Sequence, residues 1–289
     1  HLQWVQYLGK QWKRPERGFL MRTVPNYIKE IAQLLHMEHS KGAPTPCVVP
    51  AKAAADGDRQ DPVVDENTHH LFRTIVGKLM WMLDERVDTA YAVKEMARHV
   101  QEPHESHVQQ LKRLVKYLVG TANYAQELKF DDNAPKNAVT VHVDANWAGA
   151  PERRSTSGGV VCYEGFHLLH WSRTQPTIAQ STCEAELVAI NAVACEAKAI
   201  AALCKELEMD VKIRLLSDSS SAILLMNKVG PGRLRHVETR KLWLQQEVES
   251  KRLSLGHVPG VDNVADILTK PLAGARHRLL SWLLGLRQR

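Results

Sequence analysis

At 289 residues the chain is long for one compact domain and comfortable for two. Hydrophobic residues make up 44% and charged residues 24%, no apolar run approaches the ~20 residues of a bilayer span, and five cysteines without a CxxC pair argue against a disulfide framework or a zinc site. The net charge of +6 favours a polyanionic partner through sequence-independent phosphate contacts, and no membrane partner is expected.

The chain opens on His1, shows no signal peptide and reads as a fragment of something longer. A short aromatic segment with Trp4 and Trp12 leads into an apolar-periodic helix at about 27–35. Residues 41–67, rich in Pro, Ala, Gly and Asp, read as a linker or long surface loop. Three helices are predicted over 69–119. Their stripes are Leu71, Ile75, Leu79 and Met82, then Ala90, Val93, Ala97 and Val100, then Val108, Leu111, Val115 and Leu118. Lys112, Arg113 and Lys116 lie on or beside the polar face of the third, where they are either simply solvated or bind a nucleic-acid duplex.

From residue 137 the period changes to two. Val139, Val141 and Val143 mark a strand, and 155–163 with 166–173 form a hairpin turning at Glu164 and Gly165. A long helix over 181–208 follows, with Leu187, Ile190, Ala194, Ala197, Ala201 and Cys204 on one face. Cys195 and Cys204 are expected as buried thiols, which suits a reducing intracellular setting, cytoplasmic or nuclear. Then come a strand at 213–217, a short helix at 219–227, a helix at 236–250, a strand at 252–258 and a short helix at 263–270.

Four carboxylates fall at the ends of these elements: Asp144 closing the first strand, Glu186 in the first turns of the long helix, Asp218 ending the fourth strand, and Asp266 opening the last helix. Singly, each has an ordinary reading as turn former or helix-dipole partner. Together they are the equipment of two-metal phosphodiester hydrolysis, in which two Mg²⁺ ions about 3.5–4 Å apart activate water and stabilise the leaving oxygen. Hard cations of this kind take oxygen ligands.

The segments DANWAG (144–149), STCEAE (181–186), LLSDSSSAI (215–223) and ADILTKPL (265–272) resemble the ribonuclease H domain of copia-type retrotransposon Pol polyproteins. Upstream, YLG (7–9), NYIKEIAQLL (26–35), FRTIVGKLMWML (72–83), DTAYAV (88–93) and PHESHVQQLKRLVKYLVGT (103–121) are similar to the part of those polyproteins that follows the polymerase palm. The resemblance implies an α/β fold: a ribonuclease H-like mixed five-stranded sheet flanked by helices over 137–272. Before it, over 1–130, it implies a mainly helical reverse transcriptase thumb- or connection-like region. Residues 273–289 read as a basic amphipathic tail.

The same resemblance implies endonucleolytic cleavage of the RNA strand of an RNA–DNA hybrid by two Mg²⁺ ions, with Mn²⁺ as a substitute. Asp144, Glu186, Asp218 and Asp266 would be both catalytic residues and metal ligands, and an upstream reverse transcriptase domain of the same polyprotein the partner. Glu184 competes with Glu186, but two residues apart on a helix they point about 200° apart, and the Leu-x-Ala that follows Glu186 favours it. Ser181, Thr182 and Ser219 are candidates for phosphate or 2′-OH contacts, with helix capping as the alternative. His236 matches a histidine of the copia pattern, in an auxiliary or a helix-start role.

Two departures are visible. ERVD (85–88) stands where the family has Arg-Pro-Asp, a change expected only to loosen a turn. Asp131 and Asp132, the sole Asp-Asp pair, read as solvated linker and not as a polymerase signature, which would lie before residue 1. The alternative functions are an integrase- or transposase-type nuclease, against which the Asp–Glu–Asp–Asp order speaks, and a degenerate, non-catalytic duplex-binding remnant.

Overall fold

The computed structural model describes residues 3–48, 61–149, 152–228 and 243–289. It begins with β1 (Val5–Tyr7), β2 (Lys10–Lys13), β3 (Phe19–Thr23), α1 (Pro25–Gln33), α2 (Glu66–Trp81), α3 (Ala90–Ala97), α4 (Glu105–Gly120) and β4 (Tyr124–Leu128). Next come β5 (Ala138–Asn146), β6 (Thr156–Tyr163), β7 (Phe166–Thr174), α5 (Thr182–Glu206), β8 (Lys212–Ser217), α6 (Ser220–Met226), α7 (Trp243–Glu249) and β9 (Leu253–His257). The chain closes with α8 (Gly274–Leu283) and β10 (Leu286–Gln288). Two units result, one from His1–Leu128 with Pro271–Arg289, the other from Lys129–Lys270.

In the first unit the expected helices form where the apolar stripes place them. Asp65 caps α2 by accepting from Asn67 N and Thr68 N, and Pro25 opens α1, where its missing N–H costs nothing. Ile31, Phe72, Ile75, Leu79, Leu111, Val115 and Leu118 share one core.

The expectation of a mainly helical region needs correcting, because this unit also holds an antiparallel sheet in the order β1-β2-β3-β4-β10. The aromatic segment is its first hairpin, turning at Leu8 and Gly9, both with positive φ, as tight hairpin turns require. Residues 273–289 are not a separate tail: α8 and β10 belong to this unit, and β10 pairs with β4. Of the linker expected over 41–67, residues 49–60 lie outside the described residues, and Glu66 and Asn67 already belong to α2.

The ERVD segment is also more than a loosened turn. Arg86 is fully buried and forks onto Asp88 (Nε–Oδ1 3.0 Å, Nη2–Oδ2 2.8 Å). Tyr117 donates to Asp88 Oδ2 at 2.6 Å, Arg86 donates to Thr121 Oγ1 at 2.6 Å, and His277 of α8 donates to the Asp88 carbonyl at 3.0 Å. Glu85 is buried beside it, paired with Lys10 and accepting from Thr23 Oγ1 at 2.5 Å. Charged residues this deep persist only when paired, and here each is.

The second unit is a mixed sheet in the order β7-β6-β5-β8-β9, with β5–β6 and β6–β7 antiparallel and β5–β8 and β8–β9 parallel. α5 packs on it through Leu187, Ile190, Val193, Ala194 and Ala197, against Val139, Val141, Val143, Val161, Ile213 and Leu215. The expected short helix at 263–270 is a 3-10 segment, Val264–Leu268. Cys204 is buried as expected, but Cys195 is exposed, because it falls one residue off the sheet-facing stripe. All five cysteines are free.

α5 is long enough and, on average, apolar enough to cross a membrane, but Glu184, Glu186, Glu196 and Lys198 interrupt it, so no apolar run of about 20 residues exists there, as the sequence leads one to expect. Its apolar face is instead spent on the sheet.

Candidate metal centre

The register of the second unit brings carboxylates to one end of the sheet. β5 and β8 run parallel with Val143 opposite Ser217, so Asp144 and Asp218 follow each other's neighbours at the C-terminal ends of adjacent strands. Glu186 comes from the second turn of α5. One carboxylate oxygen from each of Asp144, Glu186 and Asp218 lies within 4.8 Å of the others. Asp144 and Glu186 are buried and Asp218 half-buried.

Glu184 has other work. Ser181 caps α5 by accepting from Glu184 N at 3.1 Å, and Glu184 Oε2 accepts from Gln180 N, one residue before the cap, at 2.7 Å. Glu186 Oε2 is buried without a hydrogen-bond partner.

Asp266 stands at the edge of this trio and is linked to it by cations and hydroxyls. Lys270 Nζ lies 2.7 Å from Asp266 Oδ1 and 3.6 Å from Asp144 Oδ2, and Thr269 Oγ1 donates to Asp144 Oδ2. The segment that carries Asp266 is pinned by Asn263, fully buried, whose amide donates to the Val143 carbonyl at 3.0 Å and accepts from Ala265 N. Gln175, also buried, ties the start of α5 to β6 by donating to Ala185 O and Ser157 Oγ, both at 2.8 Å.

The electrostatics are those of crowded like charges. Burial, then Asp144 and Asp218, push the Glu186 carboxyl up to about 9. Burial also raises Asp144; Lys270 and Thr269 oppose it, and Asp266 and Asp218 add to it. Burial disfavours the Lys270 ammonium, but Asp144, Asp266 and Asp218 outweigh it and raise its pKa.

Three carboxylates with oxygens within 4.8 Å of one another, and a buried Glu186 oxygen that has no hydrogen-bond partner, are a donor set for a hard divalent cation. The residues present fit such an ion.

Sequence reasoning missed Thr269, Lys270, Asn263 and Gln175. For Lys270 a signal existed: it follows Asp266 by four residues, the spacing of an ion pair on one helical face.

The remaining candidates are elsewhere. Ser219 caps α6, accepting from Ala222 N at 3.3 Å, and Thr182 is the first residue of α5. Lys112, Arg113 and Lys116 sit on α4 in the first unit, where with His36 and His39 they line a surface pocket. Arg113 also donates to Thr45 Oγ1 at 3.0 Å. His236 lies outside the described residues.

Gly158 of β6 lies opposite Asp144, and the Asp266 segment packs directly on it. A Cβ there would meet Leu268 Cβ at 2.6 Å and Thr269 Cγ2 at 2.8 Å. Gly158→Ala should therefore displace that segment, costing about 1–3 kcal/mol in urea unfolding and weakening divalent-ion stabilisation with it. Parental stability in that variant would show that the segment moves freely.

A five-stranded sheet with two antiparallel and two parallel pairings, a sheet-packed helix, and acidic residues gathered from strand ends and that helix define a ribonuclease H-like fold. The chain's relatives are Pol polyproteins of copia-type retrotransposons. It is 29% identical over 275 residues to the retrovirus-related Pol polyprotein from transposon RE1 of Arabidopsis thaliana, covering 92% of this chain and 18% of the relative. It is 27% identical over 268 residues to that from transposon TNT 1-94 of Nicotiana tabacum, covering 90% and 20%. The chain thus spans about a fifth of the length of these relatives.

Among solved structures, the foamy viral protease-reverse transcriptase in complex with double-stranded DNA shares the fold over 89% of this chain and 45% of that one, with TM-score 0.51 and 14% identity. LC11-RNase H1 isolated from compost covers 46% of this chain and 93% of its own, with TM-score 0.35 and 19% identity. No protein-family model matches the chain.

Proposed function

We propose that the second unit is an endonuclease that hydrolyses the RNA strand of RNA–DNA hybrids, acting beside an upstream reverse transcriptase domain of the same polyprotein. The observation that carries this is the convergence of Asp144 and Asp218, from adjacent parallel strands, with Glu186 of α5, whose Oε2 is unpartnered. Asp144, Glu186, Asp218 and Asp266 would hold two Mg²⁺ ions, or Mn²⁺ in their place. Bound there, such ions supply a nucleophilic water and charge stabilisation for the leaving oxygen.

The protein's own contribution is rigidity and charge. Strand register aims Asp144 and Asp218, the capped start of α5 aims Glu186, and Asn263 and Gly158 seat the segment of Asp266. Ser181 spends an oxygen lone pair on capping, which leaves its hydroxyl proton available to meet a phosphate or a 2′-OH, while Ser219 caps α6 and shares a hydrogen bond with Ser221 Oγ; Thr182 would offer a further hydroxyl. The 2′-OH marks one strand of a hybrid only, and so tells RNA from DNA.

The test is the full chain with Mg²⁺ and end-labelled substrates. RNA paired to DNA should be cut, and duplex DNA left intact. Equal cutting of duplex DNA would replace this reading by a transposase-type one.

Lys112, Arg113 and Lys116 would add affinity by neutralising phosphates. Lys112→Gln with Lys116→Gln should lower the slope of log K against log salt for hybrid binding by about one for each phosphate no longer neutralised. An unchanged slope would remove α4 from the interface.

A further inference from the structure

We infer that Lys270 is a built-in competitor for one of two cation positions, so that the centre fills in two unequal steps. The inference rests on the metal-centre reading above and concerns how that centre loads.

The four carboxylates are not equivalent in the protein as it stands. Asp144, Glu186 and Asp218 each offer an oxygen within 4.8 Å of the others, Lys270 forms no ion pair with Glu186 or Asp218, and Glu186 Oε2 is left without a hydrogen-bond partner. Asp144 and Asp266, by contrast, already share a cation. The Lys270 ammonium lies 2.7 Å from Asp266 and 3.6 Å from Asp144, and Thr269 donates to the same Asp144 oxygen.

Lys270 is held close by the chain itself. It follows Asp266 by four residues, and Thr269 between them is fully buried. Yet its side chain is 38% exposed, against 4% for Asp144 and 12% for Asp266, so it reaches water more readily than the two carboxylates it pairs with. An ion held mainly by Glu186 and Asp218 with Asp144 would compete with Lys270 for one carboxylate only, whereas an ion held by Asp144 and Asp266 would have to displace the ammonium from both, and its affinity would fall by that cost. Lys270 thereby sets the cation concentration at which the second position fills, and it keeps the Asp144–Asp266 pair compensated until then. It is a positioning residue, not a catalytic one.

The experiment is calorimetric titration of Mn²⁺ into the full chain, for the parent, Lys270→Met and Lys270→Arg, without nucleic acid. Methionine keeps the apolar stem and removes the charge; arginine keeps the charge. The parent should show a tighter and a weaker step. In Lys270→Met the weaker step should tighten about tenfold, within the usual range of coupling between competing ligands, with the tighter step moving less than about twofold. Lys270→Arg should not tighten it. A parent that takes up one ion where Lys270→Met takes two supports the same conclusion.

A weaker step that is unchanged or loosened in Lys270→Met overturns the inference while leaving the metal centre standing. A parent that binds no Mn²⁺ overturns both. Melting in chelator provides a second readout. Lys270→Met should melt below the parent, because Asp144 and Asp266 lose their counter-ion; a higher melting temperature would contradict the compensating role.

Discussion

Glu186→Gln should reduce hybrid cleavage by about a thousandfold or more, the loss of roughly 4 kcal/mol of transition-state stabilisation, and should make the ion-free protein more stable at alkaline pH. The two effects have one origin. Glu186 is buried beside Asp144 and Asp218, and its carboxyl is raised from 4.5 to about 9. The fold therefore favours its protonated form. That contribution is fully present below the unfolded value near 4.5 and is lost as pH rises through about 9, where a buried charge must form beside two others. Glutamine has nearly the same volume and never ionises.

The variant should thus match the parent near pH 4 and outlast it increasingly towards pH 9, in thermal melts run with chelator. Saturating Mg²⁺ should narrow the gap. It stabilises the parent by RT ln(1 + [L]/Kd), about 2.7 kcal/mol at a hundredfold excess over Kd, and the variant by less. Parallel pH profiles for the two proteins, or a variant that cuts at the parental rate, would mean Glu186 is not a member of the centre.

Arg86→Met should have the largest effect on stability, about 3–5 kcal/mol, because it strands the Asp88 carboxylate in the interior. In the parent, burial opposes the Asp88 charge but Arg86 outweighs it, and its pKa lies below the ordinary 3.8. Stability from that pairing is present above 3.8 and is lost as pH falls. Without Arg86 the sign inverts: an unpaired buried carboxylate prefers its proton, so acidification towards pH 5 should recover part of the loss. Replacing Asp88 as well removes the stranded charge, and Arg86→Met with Asp88→Leu should unfold closer to the parent than Arg86→Met alone. Urea unfolding of the three proteins at pH 7 and pH 5 decides it. A cost below about 1 kcal/mol for Arg86→Met would show that water reaches the pair.

Much of the second unit was legible because its signals are local. Val139, Val141 and Val143 alternate, Glu164 and Gly165 turn a hairpin, and Ser181 opens a long apolar stripe. The carboxylates stand where those elements end, so the trio could be named before any contact was known. The first unit's sheet was not legible, for two reasons. β1 is three exposed residues with no alternation to read. β3, β4 and β10 pair across more than a hundred residues of chain, a relation that no window of local sequence contains. The ERVD segment misleads by its composition: charge reads as surface until a partner such as Tyr117 or Thr121 is seen beside it. Lys270 escapes a search for carboxylates, which does not ask what neutralises them.

The pairing of β10 with β4 places the whole second unit inside an interruption of the first. On the ribosome the first unit cannot complete its sheet until some 140 residues of another fold have emerged, at about 5–20 residues per second. For those seconds β4 presents an unpaired edge, and Asp88 waits for the imidazole of His277. Biosynthesis thus runs in an enforced order, with the carboxylate-bearing unit free to fold first and the enclosing unit closing last. A chain cut after Lys270 would keep the former and leave the latter permanently unfinished.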